Sequence, residues 1–386
     1  MIVAELSLSL VLLIAAGLVI RSFVALLNTD PGFAAERLLT FRVAAPPIQP
    51  GADSERFSRF YEPVLERARA IPGVQAVAFT SLLPIQGGAT DRYFSIDGRP
   101  LERDLSRVPD AEIRLVSSDY FRAMRIPLVT GREFDDHDTR GGEHVVVIND
   151  ELARRYFPEG SPLGRRLTSG EDEGGRIVGV VRSVRQLSLD QEPRAEFYIP
   201  VSQARYNTQE MTFVVRAIGR PEDLARSMRE AVRSVAPQPL FQLATMTDVI
   251  AQSLTTRRLV LVLLLAFAGL ALVLSAAGVY GVMSYGVSQR TREIGIRMAL
   301  GARAGDVLGM ILSGAVRVMA IGIGIGLLTA ALVTRALGSV LYGVDALDPG
   351  TFVAVPAIIA VVGILAGAVP AVRAARVDPL ESMRAE

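Results

Sequence analysis

The densest group of side chains that could bind a metal is the acidic run Asp135-Asp136-His137-Asp138, with His144 a few residues further along the chain. Carboxylate and imidazole groups are ligands for calcium and for divalent transition metals. The run lacks the ligand spacing of an EF-hand calcium loop. An acidic surface turn is therefore the favoured interpretation, and a metal site is the alternative.

Hydrolase and nucleotidase chemistry finds little support in this sequence. The chain contains two His, no Cys and no G-x-S-x-G elbow, so neither a cysteine nor a serine nucleophile is indicated. All 41 basic residues are Arg, whereas a P-loop requires a Lys followed by Ser or Thr. The chain therefore cannot hydrolyse ATP through a P-loop. We predict that it is not an enzyme and that it has no catalytic, metal-binding or cofactor-binding residues.

A second group of charged side chains lies in a short arginine-rich segment, residues 288–306, between two long apolar runs. Thr291 is placed to cap a small helix, with Glu293 near the positive end of its dipole and Arg297 four residues later. The predicted helix comprises Thr291, Arg292, Glu293, Ile294, Gly295, Ile296, Arg297, Met298, Ala299, Leu300, Gly301 and Ala302. One interpretation is a solvated turn whose arginines only fix the membrane orientation. The other is a helix that a cytosolic partner can push.

The elements that must position this segment are membrane helices. Half of the 386 residues are hydrophobic, which is more than a purely soluble chain requires. Four apolar runs each reach the roughly 20 residues that a helix needs to cross a bilayer core. We predict membrane helices at residues 1–27, 257–287, 307–334 and 352–372. The remaining segments are an outer domain at 28–256, the coupling loop and helix at 288–306, a short outer loop at 335–351 and a tail at 373–386.

Small residues recur at a spacing of four within the predicted membrane helices. The pairs are Gly322 and Gly326, Gly363 and Gly367, and Ala277 and Gly281. This spacing lets two helices approach closely, so we expect these residues to contribute to bundle packing or to dimerisation.

The distribution of arginine predicts the orientation in the membrane. Arg290, Arg292, Arg297 and Arg303 follow the second predicted helix, Arg373, Arg376 and Arg384 follow the fourth, and Arg335 alone lies between the third and fourth. Cytoplasmic loops carry the excess of basic residues, so the 288–306 segment and the tail are predicted to be cytoplasmic and residues 28–256 to lie outside. The net charge of +1 provides no field that would attract nucleic acid.

The outer segment reads as a mixed α+β domain. Short alternating runs predict strands near residues 38–43, 74–80, 92–96, 112–116, 144–148, 176–184, 196–199, 211–217 and 240–244. Asn149 is predicted to cap a short helix that extends to Phe157, and residues 221–235 form an amphipathic helix that starts with Pro. Thr247 is predicted to open a helix that runs straight into the second membrane helix. We expect a second subdomain to be inserted at about residues 90–204.

Several motifs together carry a resemblance to a known family. Gly281-Val282-Met283-Ser284-Tyr285, followed by Gln289 to Ala302 with its Arg-Glu-Ile-Gly-Ile-Arg core, closely resembles the MacB/FtsX family of ABC transporter permeases. The run from Pro370 to Leu380 is similar to the closing motif of that family. Ile148-Asn149-Asp150-Glu151 and Pro162-Leu163-Gly164 resemble its outer domain. The match covers nearly the whole chain and is strongest to the second half of large bacterial permeases in which this unit occurs twice.

The resemblance implies a fold, a location and a set of partners. The fold would be four membrane helices with a large MacB-like periplasmic α+β domain, in the bacterial inner membrane. The helix at Thr291 to Ala302 would dock on a cytosolic ABC ATPase, which binds the ATP and drives motion of the periplasmic domain for efflux. A second permease unit, either another copy or an upstream half, lipid and a periplasmic adaptor are the other expected partners.

Two alternatives of other classes remain open. An FtsX-like regulatory scaffold would use the outer domain to control a cell-wall hydrolase, and a tethered enzyme domain would need a catalytic set. Because the sequence contains neither an ATPase domain nor a basic segment before Ala4, we expect the ATPase to be a separate chain and this chain to be half of a larger permease or to have a shortened start.

Overall fold

The computed structural model describes residues 2–46, 57–88, 90–99, 104, 108–139, 141–169, 173–204, 209–289, 304–336, 338 and 341–375. The chain divides into two compact units. Thr29–Leu254 form the outer unit, and Met1–Asn28 together with Thr255–Glu386 form the membrane unit.

The outer unit is built on one mixed sheet to which the described residues contribute twelve strands. The strands are β1 (Leu38–Ala44), β2 (Val74–Thr80), β3 (Asp91–Tyr93), β4 (Ser95–Ile96), β5 (Asp110–Val116), β6 (Leu128–Gly131), β7 (Val145–Asn149), β8 (Arg166–Ser169), β9 (Glu173–Val181), β10 (Glu196–Pro200), β11 (Glu210–Ala217) and β12 (Leu240–Thr245). The spatial order is β12-β1-β11-β2-β5-β10-β7-β9-β8-β4, with β3 paired to β5 and β6 paired to β9.

The sheet has two halves that meet at a narrow junction. Strands β12, β1, β11 and β2 are antiparallel neighbours, whereas the other half contains the parallel pairs β5–β10 and β7–β9. The ladder between β2 and β5 contains one residue pair, Thr80 with Val116. Hydrogen bonds from the Ser81 N–H to Leu115 O and from the Ser117 N–H to Phe79 O lie beside it. Strands β3 to β10 all lie on the far side of that junction. Whether this half is a separate inserted subdomain at about 90–204 stays a prediction.

Aromatic side chains from neighbouring strands fill the core of the antiparallel half. The rings of Phe41 on β1 and Phe213 on β11 stack at 5.1 Å, and the ring of Phe79 on β2 lies 5.3 Å from that of Phe213. Alternation along each strand places these residues on the same face of the sheet. The helices Glu62–Arg69 and Ala225–Val235 bury their apolar residues in the same core.

Of two helix starts predicted in the outer unit, at Asn149 and at Thr247, the first is confirmed and the second is wrong. The Asn149 side chain accepts a hydrogen bond from the Leu152 backbone N–H at 2.9 Å, so the predicted cap of helix Asp150–Tyr156 is confirmed. The prediction that Thr247 opens a helix continuous with the membrane is wrong. Thr245 caps helix Met246–Ser253 through a capping box with Asp248, because it lies at the end of β12 with extended backbone.

Some short elements were not expected from the sequence. The helix Tyr120–Met124 and the strands β6 and β8 carry no alternating pattern long enough to predict them. The single strand predicted at residues 92–96 is split into β3 and β4, because the first pairs with β5 and the second with β8. Residues 221–235 begin as a 3₁₀ turn, Pro221–Leu224, before the α-helix starts at Ala225.

The membrane unit consists of long helices, Ile2–Leu27, Thr255–Gln289, Ala304–Ala336 and Pro349–Ala375, here named the first to fourth membrane helices. Within the described part of the chain, four helical spans are long and apolar enough to cross a membrane: Val3–Leu27, Thr255–Gln289, Val316–Ala336 and Pro349–Arg373. The second membrane helix has 35 residues, a length of about 50 Å at 1.5 Å per residue. It therefore extends beyond the roughly 30 Å hydrocarbon core.

Candidate functional site

The predicted coupling helix, Thr291 to Ala302, lies outside the described residues, and its helical form and contacts stay predictions. The structure does place the two elements that flank it. The second membrane helix ends at Gln289, whose side chain donates to the Tyr285 hydroxyl at 2.7 Å, and the third begins at Ala304. Residues 290–303 therefore connect two long helices of one bundle, which is the position that a pushed segment requires.

The third membrane helix packs against the first through two glycines. A Cβ placed on Gly322 would lie 3.0 Å from the Cβ of Leu6, and one placed on Gly326 would lie 2.7 Å from Cδ2 of Leu10. Such distances would force the two helices apart. The predicted role of Gly322 and Gly326 in close helix packing is confirmed, within the bundle of one chain.

The small pair predicted in the second membrane helix does not behave in this way. A Cβ on Gly281 would meet nothing within 4 Å, whereas one on Gly278 would lie 3.0 Å from Glu5 Oε2. Gly281 therefore makes no close packing contact within this chain, and its part in dimerisation stays a prediction. Spacing alone could not identify Gly278 as the glycine that packs within the bundle, because several small residues occur in this helix and its rotation depends on its neighbours. In the fourth helix, Gly363 is a packing residue, because an added Cβ would collide with Sδ of Met319.

Hydroxyl groups add hydrogen bonds between the helices. The Ser7 hydroxyl donates to Gly322 O at 2.9 Å, at the same level as the glycine contact. The hydroxyls of Ser9 and Ser275 lie 2.7 Å apart and are buried between the first and second membrane helices. These bonds link the first membrane helix to the third and to the second.

An ion pair joins the end of the first membrane helix to the start of the fourth. Arg21 pairs with Asp348, and Asp348 also accepts hydrogen bonds from the Thr351 N–H at 2.7 Å and the Thr351 hydroxyl at 2.8 Å. The bonds from Thr351, assisted by Arg21, hold the pKa of Asp348 below its usual value. Asp348 is therefore the N-terminal cap of the fourth helix and stays charged at neutral pH.

In the outer unit, a buried charge cluster joins β5 to β10. Arg114 donates to Glu112 at 2.8 Å and to Glu196 at 2.6 Å, and all three side chains are 1% exposed. The Tyr198 hydroxyl and the Gln186 amide also donate to Glu196, at 2.7 and 2.9 Å. Burial, and secondarily the charge of Glu196, raises the pKa of Glu112.

This charge cluster was not singled out from the sequence. Glu112 Oε1 and Arg114 Nη1 are buried without a hydrogen-bond partner, so the cluster is not fully satisfied. Glu112 and Arg114 are two residues apart on one strand and therefore share a face, which was the available signal. Glu196 could not be assigned to them, because that contact depends on the pairing of β10 with β5.

The acidic run at 135–138 forms a turn closed by Asp138. Both carboxylate oxygens of Asp138 accept from Arg132, at 2.7 and 2.8 Å, and one also accepts from the Asp135 N–H at 3.0 Å. Burial acts to raise the pKa of Asp138, but these hydrogen bonds outweigh it and lower the pKa. The His137 side chain is 96% exposed. In the described ranges, no group of three or more His, Cys, Asp or Glu could hold a metal ion.

Known protein families match both units of the chain. The family model for the MacB-like periplasmic core domain matches residues 6–235, and the one for the FtsX-like permease C-terminal region matches residues 265–379. The chain is 29% identical to the "Uncharacterized ABC transporter permease YknZ" of Bacillus subtilis (strain 168) over 290 residues, which cover 72% of this chain and 70% of that one.

Other relatives are longer than this chain. It is 28% identical to the "Macrolide export ATP-binding/permease protein MacB" of Marinobacter nauticus over 352 residues, covering 88% of this chain and 52% of the relative. It therefore spans about half the length of that protein. The crystal structure of the periplasmic region of MacB from Actinobacillus actinomycetemcomitans covers 60% of the chain at 15% identity and a TM-score of 0.40. Since the periplasmic family model alone matches more than half of the chain, the protein belongs to the MacB/FtsX family of ABC transporter permeases, which are inner-membrane proteins with a periplasmic domain.

Proposed function

We propose that this permease couples ATP hydrolysis by a separate cytosolic ATPase to motion of its periplasmic domain, and that this motion drives export. In this mechanism Thr291 to Ala302 form the helix that docks on the ATPase. Ile294, Met298 and Leu300 supply the apolar contacts, and Arg292, Glu293 and Arg297 supply the polar ones. The chain itself binds no ATP.

One observation carries the proposal. The second membrane helix is uninterrupted over 35 residues, from Thr255 to Gln289. Only Leu254 separates its first residue from the last helix of the outer unit, and the segment predicted to dock on the ATPase follows its last residue. A continuous α-helix is stiff along its axis because every backbone N–H and C=O in its interior is bonded within the helix. Displacement at one end can therefore be passed to the other.

A second permease unit is part of the proposal. ABC ATPases that close as a pair offer two docking sites, and one chain provides a single coupling segment. The second membrane helix presents large apolar side chains outward, with Leu259, Phe267 and Val273 each more than half exposed. These side chains need either lipid or the helices of another permease unit around them. We propose that lipid and the second unit share this surface.

Reversing the charges of the predicted i,i+4 pair tests the docking step. The double variant Glu293→Arg with Arg297→Glu places a positive charge near the N-terminal end of the short helix, where its dipole disfavours one, and exchanges the charges shown to the ATPase. We expect capture of a co-expressed partner ABC ATPase to fall about tenfold, while the yield of folded permease is unchanged. The measurement is co-purification from membranes, with the permease quantified by size-exclusion chromatography.

The chain offers a matched control on the other unit. Arg226 and Glu230 form an exposed i,i+4 pair at 3.0 Å in helix Ala225–Val235. The double variant Arg226→Glu with Glu230→Arg makes the same charge exchange there and should capture the ATPase as the wild type does. Undiminished capture by the 293/297 variant would refute docking through this segment.

A further inference from the structure

The outer unit contains a cavity of about 430 Å³ beside the edge strand β12. Four elements contribute described residues to its lining: β1 with Arg42, β12 with Gln242, the loop at residues 82–87, and the helix Met246–Ser253. The volume lies within the range of about 300–1,000 Å³ typical of small-molecule sites. The cavity is built entirely from residues of the outer unit.

Two of its lining residues adopt backbone conformations that their side chains disfavour. Ile85 has φ of 67° and Gln242 has φ of 50°, both in the left-handed region. A β-branched residue such as Ile is rarely found there. The Ile85 conformation is held in place by burial of its side chain, which is 3% exposed, and by a hydrogen bond from its N–H to Gln186 O at 2.7 Å.

The Gln242 conformation comes from a β-bulge. Pairing between β1 and β12 steps from Thr40 with Ala244 to Arg42 with Phe241, so β12 carries one extra residue at this point. A bulge bends its strand and redirects a side chain. Non-glycine residues with strained backbone conformations are found more often at ligand sites, where the surrounding fold holds them in a conformation that they disfavour. Two such residues from separate segments line the same cavity. This indicates that the fold maintains the shape of the cavity for a ligand.

The lining chemistry restricts what can bind. Among the described lining residues, Arg42 carries the charge. It forms an ion pair with Glu210, whose carboxylate lies 3.7 Å from Arg42 Nη1, beyond hydrogen-bond distance. Carboxamides of Gln86, Gln242 and Gln252 add donors and acceptors. Leu83, Ile85 and Val249 supply a buried apolar side. The described wall is therefore mainly polar, with several amides, one cation and a smaller apolar part.

We propose that this cavity binds a small amphipathic molecule that carries a carboxylate. Its apolar part packs on Leu83, Ile85 and Val249, its carboxylate faces Arg42, and its amide or hydroxyl groups bond the glutamine side chains. The proposal goes beyond ATPase coupling, and binding is measured without an ATPase, so either proposal can fail without the other.

Site-mapped photolabelling tests the proposal in the full chain reconstituted in lipid nanodiscs. The probe is an N-decanoylglycine that bears a diazirine, and labelled peptides are identified by mass spectrometry. We expect saturable labelling within residues 82–87 and 242–253. Unlabelled N-decanoylglycine should compete at least about tenfold better than its methyl ester, because one hydrogen bond to a charged group is worth about that factor.

Three variants define the outcome. Arg42→Gln should reduce saturable labelling about tenfold, whereas Arg229→Gln, on the exposed side of helix Ala225–Val235, should leave it unchanged. Gln252→Glu changes an exposed position on the lining helix, so it should keep the fold and repel the acid but not the ester. Labelling that does not saturate, that maps only to the membrane helices, or that responds equally to Arg42→Gln and Arg229→Gln would overturn the proposal, as would equal competition by acid and ester.

Discussion

At the scale of single residues, Arg114 links two neighbouring strands of the outer unit. Its guanidinium lies between the carboxylates of Glu112 on the same strand and Glu196 on the neighbouring strand. Each partner is buried, so water cannot replace a lost contact. A buried ion pair adds little net stability compared with apolar residues, but removing one member leaves an uncompensated charge. Here the loss of Arg114 would remove the cation from Glu196 and would leave Glu112 with Arg194, 3.5 Å away.

We therefore predict that Arg114→Met destabilises the outer unit by about 3–5 kcal/mol. Hydrogen exchange, measured by mass spectrometry on the full chain, should show faster exchange in β5 and β10 than in the wild type. Arg176→Met is the matched control, because Arg176 forms a comparable pair with Glu143 at 2.7 and 2.8 Å on the surface. Solvent screens that pair, so its loss should have a much smaller effect. Equal effects of the two variants would contradict the assigned role.

This charge cluster also marks a limit of sequence reasoning. That Glu112 and Arg114 share a face follows from their spacing on a strand. The third member does not, since β5 and β10 are parallel strands brought together by the segments between them. The prediction of coupling residues from Thr291 to Ala302 has a different basis, namely the position of the segment and the family resemblance. Nothing in the described residues tests them.

At the scale of elements, glycines set the distance between membrane helices. Gly322 and Gly326 lie against the first membrane helix, whereas a Cβ on Gly324 would meet nothing within 4 Å. Gly322 and Gly326 therefore lie on one side of the third membrane helix and Gly324 on the other. The same substitution at Gly326 and at Gly324 separates the effect of packing from the effect of losing a glycine. Overpacking a close contact costs about 1–3 kcal/mol.

We predict that Gly326→Val lowers the melting temperature of the detergent-solubilised chain, because the new side chain would collide with Leu10 and with Ser7 Cα, 3.1 Å from the added Cβ. Gly324→Val introduces the same group where it has room and should leave the melting temperature unchanged or slightly raised. Fluorescence-detected size-exclusion chromatography after heating provides the measurement. A loss of stability in Gly324→Val equal to that in Gly326→Val would show that packing against the first helix is not the cause.

Regular elements were predictable to the extent that their own sequence determines them. Strand β2 was predicted at Val74–Thr80, where it occurs, and Asn149 caps its helix as expected, because alternation and capping are local properties. The start of helix Met246–Ser253 was predicted two residues too late, because Thr245 and Thr247 are both capable caps and the end of β12 decides between them. The close approach of Gly278, and not Gly281, to the first membrane helix likewise depends on helix rotation, which packing sets.

At the scale of the whole molecule, the chain passes from the outer unit to the membrane unit at Leu254. A change at this point can interrupt the proposed coupling without altering either unit. Helix Met246–Ser253 belongs to the outer unit, and the second membrane helix starts at Thr255. Insertion of three glycines between Leu254 and Thr255 would add a flexible link in place of a direct one. The core of each unit would be unchanged.

We predict that this insertion leaves ATP hydrolysis by the assembled transporter intact but abolishes ATP-driven movement of the outer unit. Because the chain contains no Cys, spin labels can be placed uniquely through Ile218→Cys and Leu328→Cys, at positions that are 65% and 72% exposed. Double electron–electron resonance should show an ATP-dependent shift in the distance between the labels, on the order of 5 Å, without the insertion and none with it.

The same three glycines inserted after Gly160 serve as the control. This residue lies in an exposed turn where an added Cβ would meet nothing, so the insertion should alter neither hydrolysis nor the shift in distance. An undiminished shift in the variant extended at Leu254 would mean that the second membrane helix does not transmit the motion. The connection at Asn28 and Thr29 would then be the remaining covalent route between the units, and the coupling proposal would have to be rebuilt on the first membrane helix.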